Sequence, residues 1–535
     1  MIHFKRVNVP FENSNQFSQL FLDYVSESEK IAALYSFPPT ASGYNQAANS
    51  LQYNEAIRPV LIDVIKEQYA ATGISVSEKL LNQLAAVGAL TVCTGHQLCL
   101  FTGPLYFIYK ICTTIKVAEE QSRLLGKNTI PVYWMATEDH DFEEISAVNI
   151  FGKTLKWAIG LTPNEKVPKG AVGDISTDSL DALLSELKIL LGDAVAAQQL
   201  YELIAKAYRP GRTLTQATRE FVNELFFDKI IIIDGNDKKL KSFFRTQLKQ
   251  EVEWQQSFQF VSDSILQIEK LGYVSQVNPR RINLFYMQNN FRERIEEKDG
   301  IYNVLNSTIF FTKEQLLIEI ENSPEKFSPN VVLRPLYQQI ILPNIAYIGG
   351  PGEIAYWLQY KTMFDHFKVA FPVLQPRHFA VISDKKSVER LLKFEIAVEE
   401  LFGDLDELIK LFVHKNSGDS LSFAKEQESL RELFASVRSK IVTVDFTLAG
   451  AVDAELQKQL NVLENLESKV LRAAKHNQEI SITQLRKLHN KFFPNDTLQE
   501  RYENFIPFYL QHGPDLISML EREFELPVEG VLVLS

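Results

Sequence analysis

The densest group of reactive side chains in this sequence lies at residues 138–144, Glu-Asp-His-Asp-Phe-Glu-Glu, with five carboxylates and one imidazole. Carboxylates bind cations, sugars or protonated amines, and an imidazole exchanges a proton near neutral pH. Acidic residues are also favoured where a helix begins, since its N-terminus carries partial positive charge. The stretch therefore predicts either a substrate site or an ordinary helix start, and its position after an apolar run favours the site.

Glycine-containing turns form the second group. They are Thr94-Gly95-His96-Gln97, Phe101-Thr102-Gly103-Pro104 and Gly349-Gly350-Pro351-Gly352. Glycine lets the backbone approach a ligand, and free N–H groups at a helix start attract anions. Plain turns remain the alternative, because the spacing fits neither a P-loop nor a dinucleotide fingerprint. We expect Thr102 or Gly103 to cap the following helix. The predicted anion or nucleotide site comprises Gly95, Thr102, Gly103, Lys110, Gly349, Gly350 and Gly352.

Buried strands must position these turns. Apolar runs near residues 89–93, 131–136, 229–234, 345–348 and 371–374 read as strands, and several end in glycine or in a polar residue. Long stretches separate these runs, which is typical of parallel strands with crossover connections. The carboxyl ends of parallel strands lie at one edge of a sheet, where ligands bind. We therefore expect the acidic stretch and the glycine turns to share one cleft.

The length of 535 residues predicts two to four domains. Residues 1–86 look helical and are expected to pack on the sheet. The sheet domain is predicted at 87–150, 226–250 and 330–384, with insertions at 151–225 and 251–329. A helical domain is expected at 385–510, and 511–535 returns to the core.

Residues 385–510 carry long charged helical patterns with an apolar seam. Within 453–478 the seam is Leu456, Leu460, Leu463, Val470 and Ala474, close to a heptad repeat. Such an arm commonly supports self-association. Packing within its own domain is an equally ordinary alternative.

Composition excludes several classes of function. The 56 basic and 67 acidic residues give a net charge of −11, which argues against nucleic-acid binding. No apolar run approaches the roughly 20 residues of a membrane span. Three cysteines cannot form a disulfide framework, so a reducing cytoplasm is expected. Cys93, His96 and Cys99 could suggest zinc, but we expect no protein-bound metal, because Cys93 belongs to a predicted strand.

The motifs Thr94-Gly95-His96-Gln97, Phe101 to Tyr106 with Ile108-Tyr109-Lys110, Glu138-Asp139-His140-Asp141 and 349–357 resemble the BshC family of bacillithiol biosynthesis. The resemblance runs over nearly the whole chain. It implies an α/β fold: a Rossmann-like parallel sheet core similar to class I aminoacyl-tRNA synthetases, with connecting-peptide insertions, an α-helical coiled-coil domain and a homodimer. The family usually has Gln at the position of His96, so the resemblance gives this imidazole no specific role.

The resemblance also implies an activity, the addition of cysteine to glucosaminyl-malate through an amide bond. By analogy of fold, ATP with Mg²⁺ would activate the cysteine carboxylate as an adenylate, and ADP or another adenine nucleotide would bind. The residues expected to be catalytic are Asp139, His140, Asp141 and His96. Those expected to bind substrate are Glu138, Gln97, Tyr106, Arg334, Gln338, Asn344 and Arg377.

Roles within this set follow from charge. The acidic residues suit the amine, with His140 as a candidate proton acceptor. Arg334 and Arg377 suit the malate carboxylates, and a structural role for each arginine stays open. Two other functions also stay open, a nucleotide-binding scaffold or regulatory protein without turnover, and a tRNA-charging enzyme. The acidic charge argues against the second.

Overall fold

A computed structural model describes residues 6–159, 169–288, 291–417 and 422–535. The chain divides into two compact units. The first contains the described residues of 1–12, 16–381 and 498–534, and the second contains 13–15, the described residues of 382–497, and Ser535. Each unit is described by itself.

The strands of the described residues, in chain order, are β1 (Arg6–Pro10), β2 (Leu90–His96), β3 (Thr129–Met135), β4 (Ala147–Ile150), β5 (Lys153–Lys156), β6 (Ile231–Asp234), β7 (Leu284–Gln288), β8 (Phe291–Lys298), β9 (Ile301–Val304), β10 (Phe310–Thr312), β11 (Phe327–Pro329), β12 (Asn344–Gly349), β13 (Val373–Pro376), β14 (Phe379–Ile382) and β15 (Gly530–Leu534).

The α-helices of the same residues are α1 (Gln19–Val25), α2 (Ala41–Ser50), α3 (Ile57–Thr72), α4 (Glu78–Ala85), α5 (Tyr106–Leu125), α6 (Phe142–Ile145), α7 (Asp181–Leu191), α8 (Val195–Ala207), α9 (Leu214–Phe226), α10 (Lys238–Ser242), α11 (Arg245–Trp254), α12 (Gln256–Lys270), α13 (Lys313–Asn322), α14 (Arg334–Ile341), α15 (Pro351–Trp357), α16 (Lys361–His366), α17 (Lys385–Phe394), α18 (Leu405–Ser417), α19 (Ala424–Val442), α20 (Ala449–Asn477), α21 (Glu479–Phe492), α22 (Gln499–Tyr502), α23 (Ile506–His512) and α24 (Leu516–Glu523).

A five-stranded parallel sheet forms the centre of the first unit, in the order β13-β12-β2-β3-β6. Every residue of β3 is buried, as are all but the last residue of β2. Strands covered on both faces must be apolar throughout, which is why they read as continuous hydrophobic runs. The predicted Rossmann-like parallel sheet is confirmed, and all five predicted strands belong to it.

The turn between β2 and α5 differs from the expected helix cap. Neither Thr102 nor Gly103 caps α5, because the residue before the helix is Leu105. Instead Phe101, Thr102 and Gly103 all have positive φ angles, of 50°, 73° and 67°. A Cβ atom at residue 103 would lie 2.6 Å from the Cβ of Cys99, so this position requires glycine.

Three further sheets belong to the first unit or its edge. An antiparallel sheet, β10-β9-β8-β7-β11, lies within the predicted insertion at 251–329. A hairpin, β4-β5, spans the predicted boundary between residues 150 and 151. The third sheet has the order β1-β15-β14, so the C-terminal strand pairs with β1 in a sheet separate from the central one.

Residues 498–512 belong to the first unit, whereas the helical domain was expected to continue to residue 510. Their side chains explain this boundary. Glu500 is fully buried and accepts a hydrogen bond of 2.6 Å from Nη2 of Arg377. Asn504 Nδ2 donates to the carbonyl oxygens of Phe101 and Gly103. Buried polar groups need such partners, so this segment stays with the sheet.

The second unit is helical. Its helices α19 and α20 are joined by residues 443–448, which include a 3₁₀ turn at 446–448, and pack along each other. Leu460 of the predicted seam is buried, while the neighbouring Leu433, Val462 and Leu466 are exposed. Among the described helices of both units, none is long and apolar enough to cross a membrane.

Candidate active site

A cavity of about 940 Å³ opens at the carboxyl ends of the parallel strands, within the first unit. Gly95 and Gln97 from the end of β2 line it, together with Gly350 and Gly352 before and within α15. The acidic residues after β3 form another part of its wall. The predicted convergence on one cleft is confirmed for the acidic stretch and for two of the three glycine turns. The third turn, at residues 101–104, lies outside the cavity lining.

A buried ion pair supports the wall formed by β2 and β12. Lys110 Nζ lies 2.8 Å from Oε2 of Glu353 and also donates to the carbonyl oxygen of Gly95. Tyr347 donates its hydroxyl to Glu353 Oε1 at 2.6 Å. Burial lowers the pKa of Lys110 although Glu353 opposes this, and burial would raise the pKa of Glu353, but Lys110 outweighs it.

This network changes the expected role of the residues around it. Lys110 lines the cavity, but its ammonium donates to Gly95 and Glu353, which favours a structural role over the expected anion binding. Glu353 also accepts from the backbone N–H of Gly350 at 2.9 Å. A carboxylate therefore already occupies the start of α15, where an anion was expected.

His96 ends β2 among aromatic rings. Its Nδ1 lies 2.8 Å from the carbonyl oxygen of Gln97, and its ring contacts Tyr106 and Phe107. A carbonyl only accepts, so Nδ1 carries the proton and Nε2 presents a lone pair. Burial, assisted by the charge of Lys110, lowers the pKa of His96 to about 4, so the ring is neutral at physiological pH.

Asp139 and Glu144 form the acidic wall of the cavity. One amide joins them, since Gln97 Nε2 lies 2.7 Å from Asp139 Oδ2 and 2.8 Å from Glu144 Oε2. Burial would raise the pKa of Asp139, but the bond from Gln97 and the charge of Arg292 outweigh it and lower the pKa. Asp139 is therefore a carboxylate at neutral pH, and both residues line the cavity.

The other two predicted acids are bonded to other parts of the protein, although Glu138 also lines the cavity. Glu138 pairs with Lys241, a buried lysine that also donates to Asn236 and to the carbonyl oxygen of Glu325. Asp141 caps α6 by accepting from the N–H of Glu144 at 3.1 Å. The acidic stretch thus combines both interpretations, because Asp141 starts a helix while Asp139 faces the cavity.

His140 is held from a different part of the chain. Nη1 of Arg292, on β8, lies 2.7 Å from Nδ1 of His140, and Arg292 Nε donates to Ser328 Oγ at 3.0 Å. Both Arg292 and His140 lie against the ring of Phe285. Burial and the charge of Arg292 lower the pKa of His140.

Arginine side chains form the basic part of the cavity wall. Arg377 is held over the rings of Tyr106 and Phe379 at 5.1 and 4.3 Å, and it pairs with Glu500. Arg334 Nη1 donates to Gln338 Oε1 at 2.9 Å. Arg501 lines the same cavity and is exposed. Arg334 and Arg377 thus lie where the sequence predicted them.

Six predicted site residues lie outside the cavity lining, which corrects their expected positions. One of them is Asp141, the helix cap described above. Gln338 is fully buried and accepts a hydrogen bond from Arg334 of the cavity wall. Asn344 begins β12, at the strand end away from the cavity, and bonds to Thr91 and Gln339. Gly349 accepts from the N–H of Arg377. Thr102 and Gly103 form the buried turn described above.

Several wall or supporting residues were missed by the sequence reasoning: Glu144, Lys241, Arg292, Tyr347, Glu353, Glu500 and Arg501. Glu144 was within the predicted acidic stretch and could have been found there. Glu353 stands three residues after Gly350, at the spacing of a capping box. Lys241, Arg292 and Glu500 follow no local pattern, because their partners lie far along the chain.

Comparisons with known proteins agree with this architecture. Residues 4–378 match the family model described as Bacillithiol biosynthesis BshC, N-terminal Rossmann-like domain, and residues 380–533 match its C-terminal coiled-coil domain. A relative from Flavobacterium johnsoniae, named "Putative cysteine ligase BshC", is 39% identical over 97% of this chain and 98% of its own.

Two other relatives carry the same name. One from Christiangramia forsetii is 39% identical over 98% of this chain and 97% of its own, and one from Lysinibacillus sphaericus is 25% identical over 97% of each. A Rossmann-like sheet domain followed by a coiled-coil domain is the architecture of this class. The chain belongs to the BshC family of bacillithiol biosynthesis.

Proposed function

We propose that the protein is a ligase that joins the carboxyl group of cysteine to the amine of glucosaminyl-malate through an amide bond. The observation that carries this proposal is the cavity itself, whose wall holds carboxylates and guanidinium groups together. The reaction joins an amine to a carboxylate on a substrate with further carboxylates. A site for it needs both kinds of charge.

The amine would bind at Asp139 and Glu144. Gln97 supplies N–H groups to one oxygen of each carboxylate and leaves the other acceptor positions of Glu144 for a ligand. A protonated amine is attracted to this pair, and a carboxylate with a lowered pKa keeps its charge when the ammonium arrives. The amine must lose a proton before it attacks, and Asp139 is the candidate acceptor on this wall.

The substrate carboxylates would bind at Arg377 and Arg334, with Arg501 close to Arg377. Arg377 is fixed by Glu500 and by two aromatic rings, so little side-chain freedom is lost when an anion binds. Guanidinium groups suit carboxylates because two N–H groups can face two oxygens.

Activation of the cysteine carboxylate by ATP with Mg²⁺ belongs to the same proposal. Arg377 and Arg334 are assigned to the malate carboxylates, so the phosphate groups would bind at Arg501, which fits them better than the start of α15 does because Glu353 occupies the latter. ADP or another adenine nucleotide would bind at the same arginine. Over the described ranges, no group of three or more His, Cys, Asp or Glu side chains is placed to hold a metal ion. Mg²⁺ would therefore bind through the phosphates.

The direct test is an assay with cysteine, glucosaminyl-malate, ATP and Mg²⁺, in which mass spectrometry detects the amide product. Turnover that requires all of the substrates supports the ligase. A protein that binds nucleotide and glucosaminyl-malate tightly without turnover would instead be a scaffold or regulatory protein. In cells, removal of the protein should deplete bacillithiol and cause glucosaminyl-malate to accumulate.

All three cysteines are free and buried, which suits a reducing cytoplasm.

We also propose that the protein forms a homodimer through the helical unit. Leu433 on α19 and Val462 and Leu466 on α20 are 58%, 51% and 44% exposed. Val462 and Leu466 are one helical turn apart, and exposed apolar residues on one helix face are typical of an interface. Light scattering of the wild type and of Val462→Glu with Leu466→Glu tests this, because a dimer should become a monomer. An unchanged mass would contradict it.

A further inference from the structure

We propose that Arg292 fixes His140 in the neutral tautomer with its proton on Nε2, so that His140 donates a hydrogen bond into the cavity instead of accepting a proton there. Arg292 is then a positioning residue for the site. The assignment of the tautomer does not depend on the proposed ligase reaction. The proposal that Nε2–H donates a hydrogen bond to a substrate does depend on that reaction.

The first step of the argument is the contact itself. A guanidinium has only donors and keeps its charge at any physiological pH. Its Nη1 lies 2.7 Å from Nδ1 of His140, a hydrogen-bond distance that requires a lone pair on Nδ1. The single proton of the neutral ring must therefore be on Nε2. In a doubly protonated ring, the Nδ1–H of His140 would face an N–H of Arg292, and both side chains would be positively charged.

The second step is that other buried residues hold Arg292 in the position from which it contacts His140. Arg292 is 6% exposed, its Nε is bonded to the fully buried Ser328, and its guanidinium lies 3.8 Å from the ring centre of Phe285. These partners determine the plane and position of the guanidinium. Rotating the His140 ring by 180° would place a carbon against Nη1 and lose the bond, so the ring orientation is determined as well.

The third step concerns the face of His140 that a ligand meets. The side chain is 44% exposed and lines the cavity. Within the described parts of the chain, no residue is bonded to its Nε2, so this N–H is available to a ligand. The Nε2–H donor of His140 lies beside the guanidinium of Arg292, and this combination favours an anionic oxygen. Among the proposed substrates, that oxygen belongs to a carboxylate or a phosphate group.

The charged groups around His140 give this arrangement a pH dependence. Arg292 opposes protonation of the ring, while Asp139 and Asp141 on the same segment and Glu293 on β8 favour it. Burial and Arg292 prevail, so the ring stays neutral below the pH at which an exposed histidine gains its proton. Removing the Arg292 charge should raise the pKa of His140.

The test is nitrogen NMR of protein labelled with ¹⁵N-histidine, with the His140 signals assigned by comparison with His140→Gln. Near pH 7 the wild type should show a protonated Nε2 and an unprotonated Nδ1. A His140 ring protonated on Nδ1, alone or together with Nε2, would overturn the proposal without any variant being needed.

Two variants sharpen the test. Arg292→Met removes the donor and the charge while keeping an extended side chain, so the tautomers should mix and the pKa of His140 should rise. Arg292→Lys keeps a charged donor and should restore part of the wild-type spectrum. Arg294→Gln removes a charge two residues along the same strand, where Arg294 pairs with Glu296, and should leave the tautomer unchanged. Mixing of tautomers in Arg294→Gln and not in Arg292→Met would contradict the assignment.

Malate and inorganic phosphate, added separately, identify the ligand atom. A shift of the Nε2 signal with malate alone assigns a carboxylate oxygen, and a shift with phosphate alone assigns a phosphate oxygen. If neither moves the signal, the donor role is wrong. In the ligase assay Arg292→Met should lower kcat/KM by at least about tenfold and Arg292→Lys by less. A wild type without turnover would refute the proposed function, while the spectrum of the free protein would still decide the tautomer.

Discussion

Two histidines on the wall of one cavity are held in opposite ways. His96 ends β2 and donates a hydrogen bond from its Nδ1–H to a backbone carbonyl, which leaves a lone pair on Nε2. His140 follows β3 and receives a hydrogen bond on Nδ1 from Arg292, which leaves a proton on Nε2. The residue type alone therefore does not determine whether Nε2 donates or accepts a hydrogen bond. The hydrogen-bond partner of Nδ1 determines it.

The surroundings of the two rings differ as well. The ring of His96 packs against two aromatic rings, and nearby the charges of Lys110 and Glu353 are paired with each other. Around His140 the acids and Arg292 face the cavity and keep some of their hydrogen-bonding capacity for a ligand. We infer that the first region holds the architecture of the site and that the second meets the substrate.

The largest expected effect is on stability in the His96 region. Lys110→Met leaves Glu353 with its charge and without its cation, and breaking a buried ion pair costs roughly 3 kcal/mol or more. Urea unfolding should show this loss in the free energy of unfolding. Adding Glu353→Gln removes the unpaired charge and should recover part of it. Wild-type stability of Lys110→Met would contradict the structural role of this pair.

The pH dependence of stability should come from the same region. The pKa of His96 is about 4 in the folded protein, below the ordinary value of about 6.5 in the unfolded chain. The unfolded chain therefore binds more protons between these values, so stability is fully present above pH 6.5 and falls as pH drops toward 4. At pH 4, His96→Gln should reduce this loss by roughly 3 kcal/mol, since each pH unit between the two pKa values contributes about 1.4 kcal/mol. His476→Gln, at an exposed position, is the control and should leave the curve unchanged.

Asp139→Asn should affect binding and not folding. The substitution keeps the size of the side chain and removes the charge that faces the amine. Calorimetry with glucosaminyl-malate should show affinity weakened by at least about tenfold, roughly 1.4 kcal/mol, with an almost unchanged unfolding midpoint. Wild-type affinity would mean that the amine binds elsewhere in the cavity.

Asp141→Asn is the matched substitution and should give the smallest effect. Asp141 caps α6, and asparagine is also a good capping residue, so the cost to stability should be about 0.5 kcal/mol or less. Affinity for glucosaminyl-malate should change little. Equal losses of affinity in Asp139→Asn and Asp141→Asn would show that both carboxylates attract the amine. The separate roles of binding for Asp139 and helix capping for Asp141 would then be wrong.

The sequence determines much of the sheet and part of the site. The five central strands were predictable because strands buried on both faces must be apolar, and each ends in a turn with its own residue pattern. The general location of the cavity followed from the rule that ligands bind at the carboxyl ends of parallel strands. Asp139 and Arg377 were found in this way.

The pairings within the site were not predictable. Lys110 and Glu353 are 243 residues apart, His140 and Arg292 are 152 apart, and Arg377 and Glu500 are 123 apart. Local patterns report what a segment does with its own neighbours, as in the cap formed by Asp141. They do not show which distant side chain forms an ion pair with a given charge. Because the partner Glu353 could not be foreseen, Lys110 was predicted to bind an anion.

The return of residues 498–512 to the sheet has a consequence for the order of synthesis. When Arg377 leaves the ribosome, its partner Glu500 has not yet been translated, and neither has Asn504, which bonds the turn at Phe101 and Gly103. The sheet can form on the nascent chain, but its basic wall lacks an anchor until more than a hundred further residues have been added. Stalled chains that end between these positions should therefore hold a folded sheet that binds ligand weakly, so that binding competence arrives late in translation.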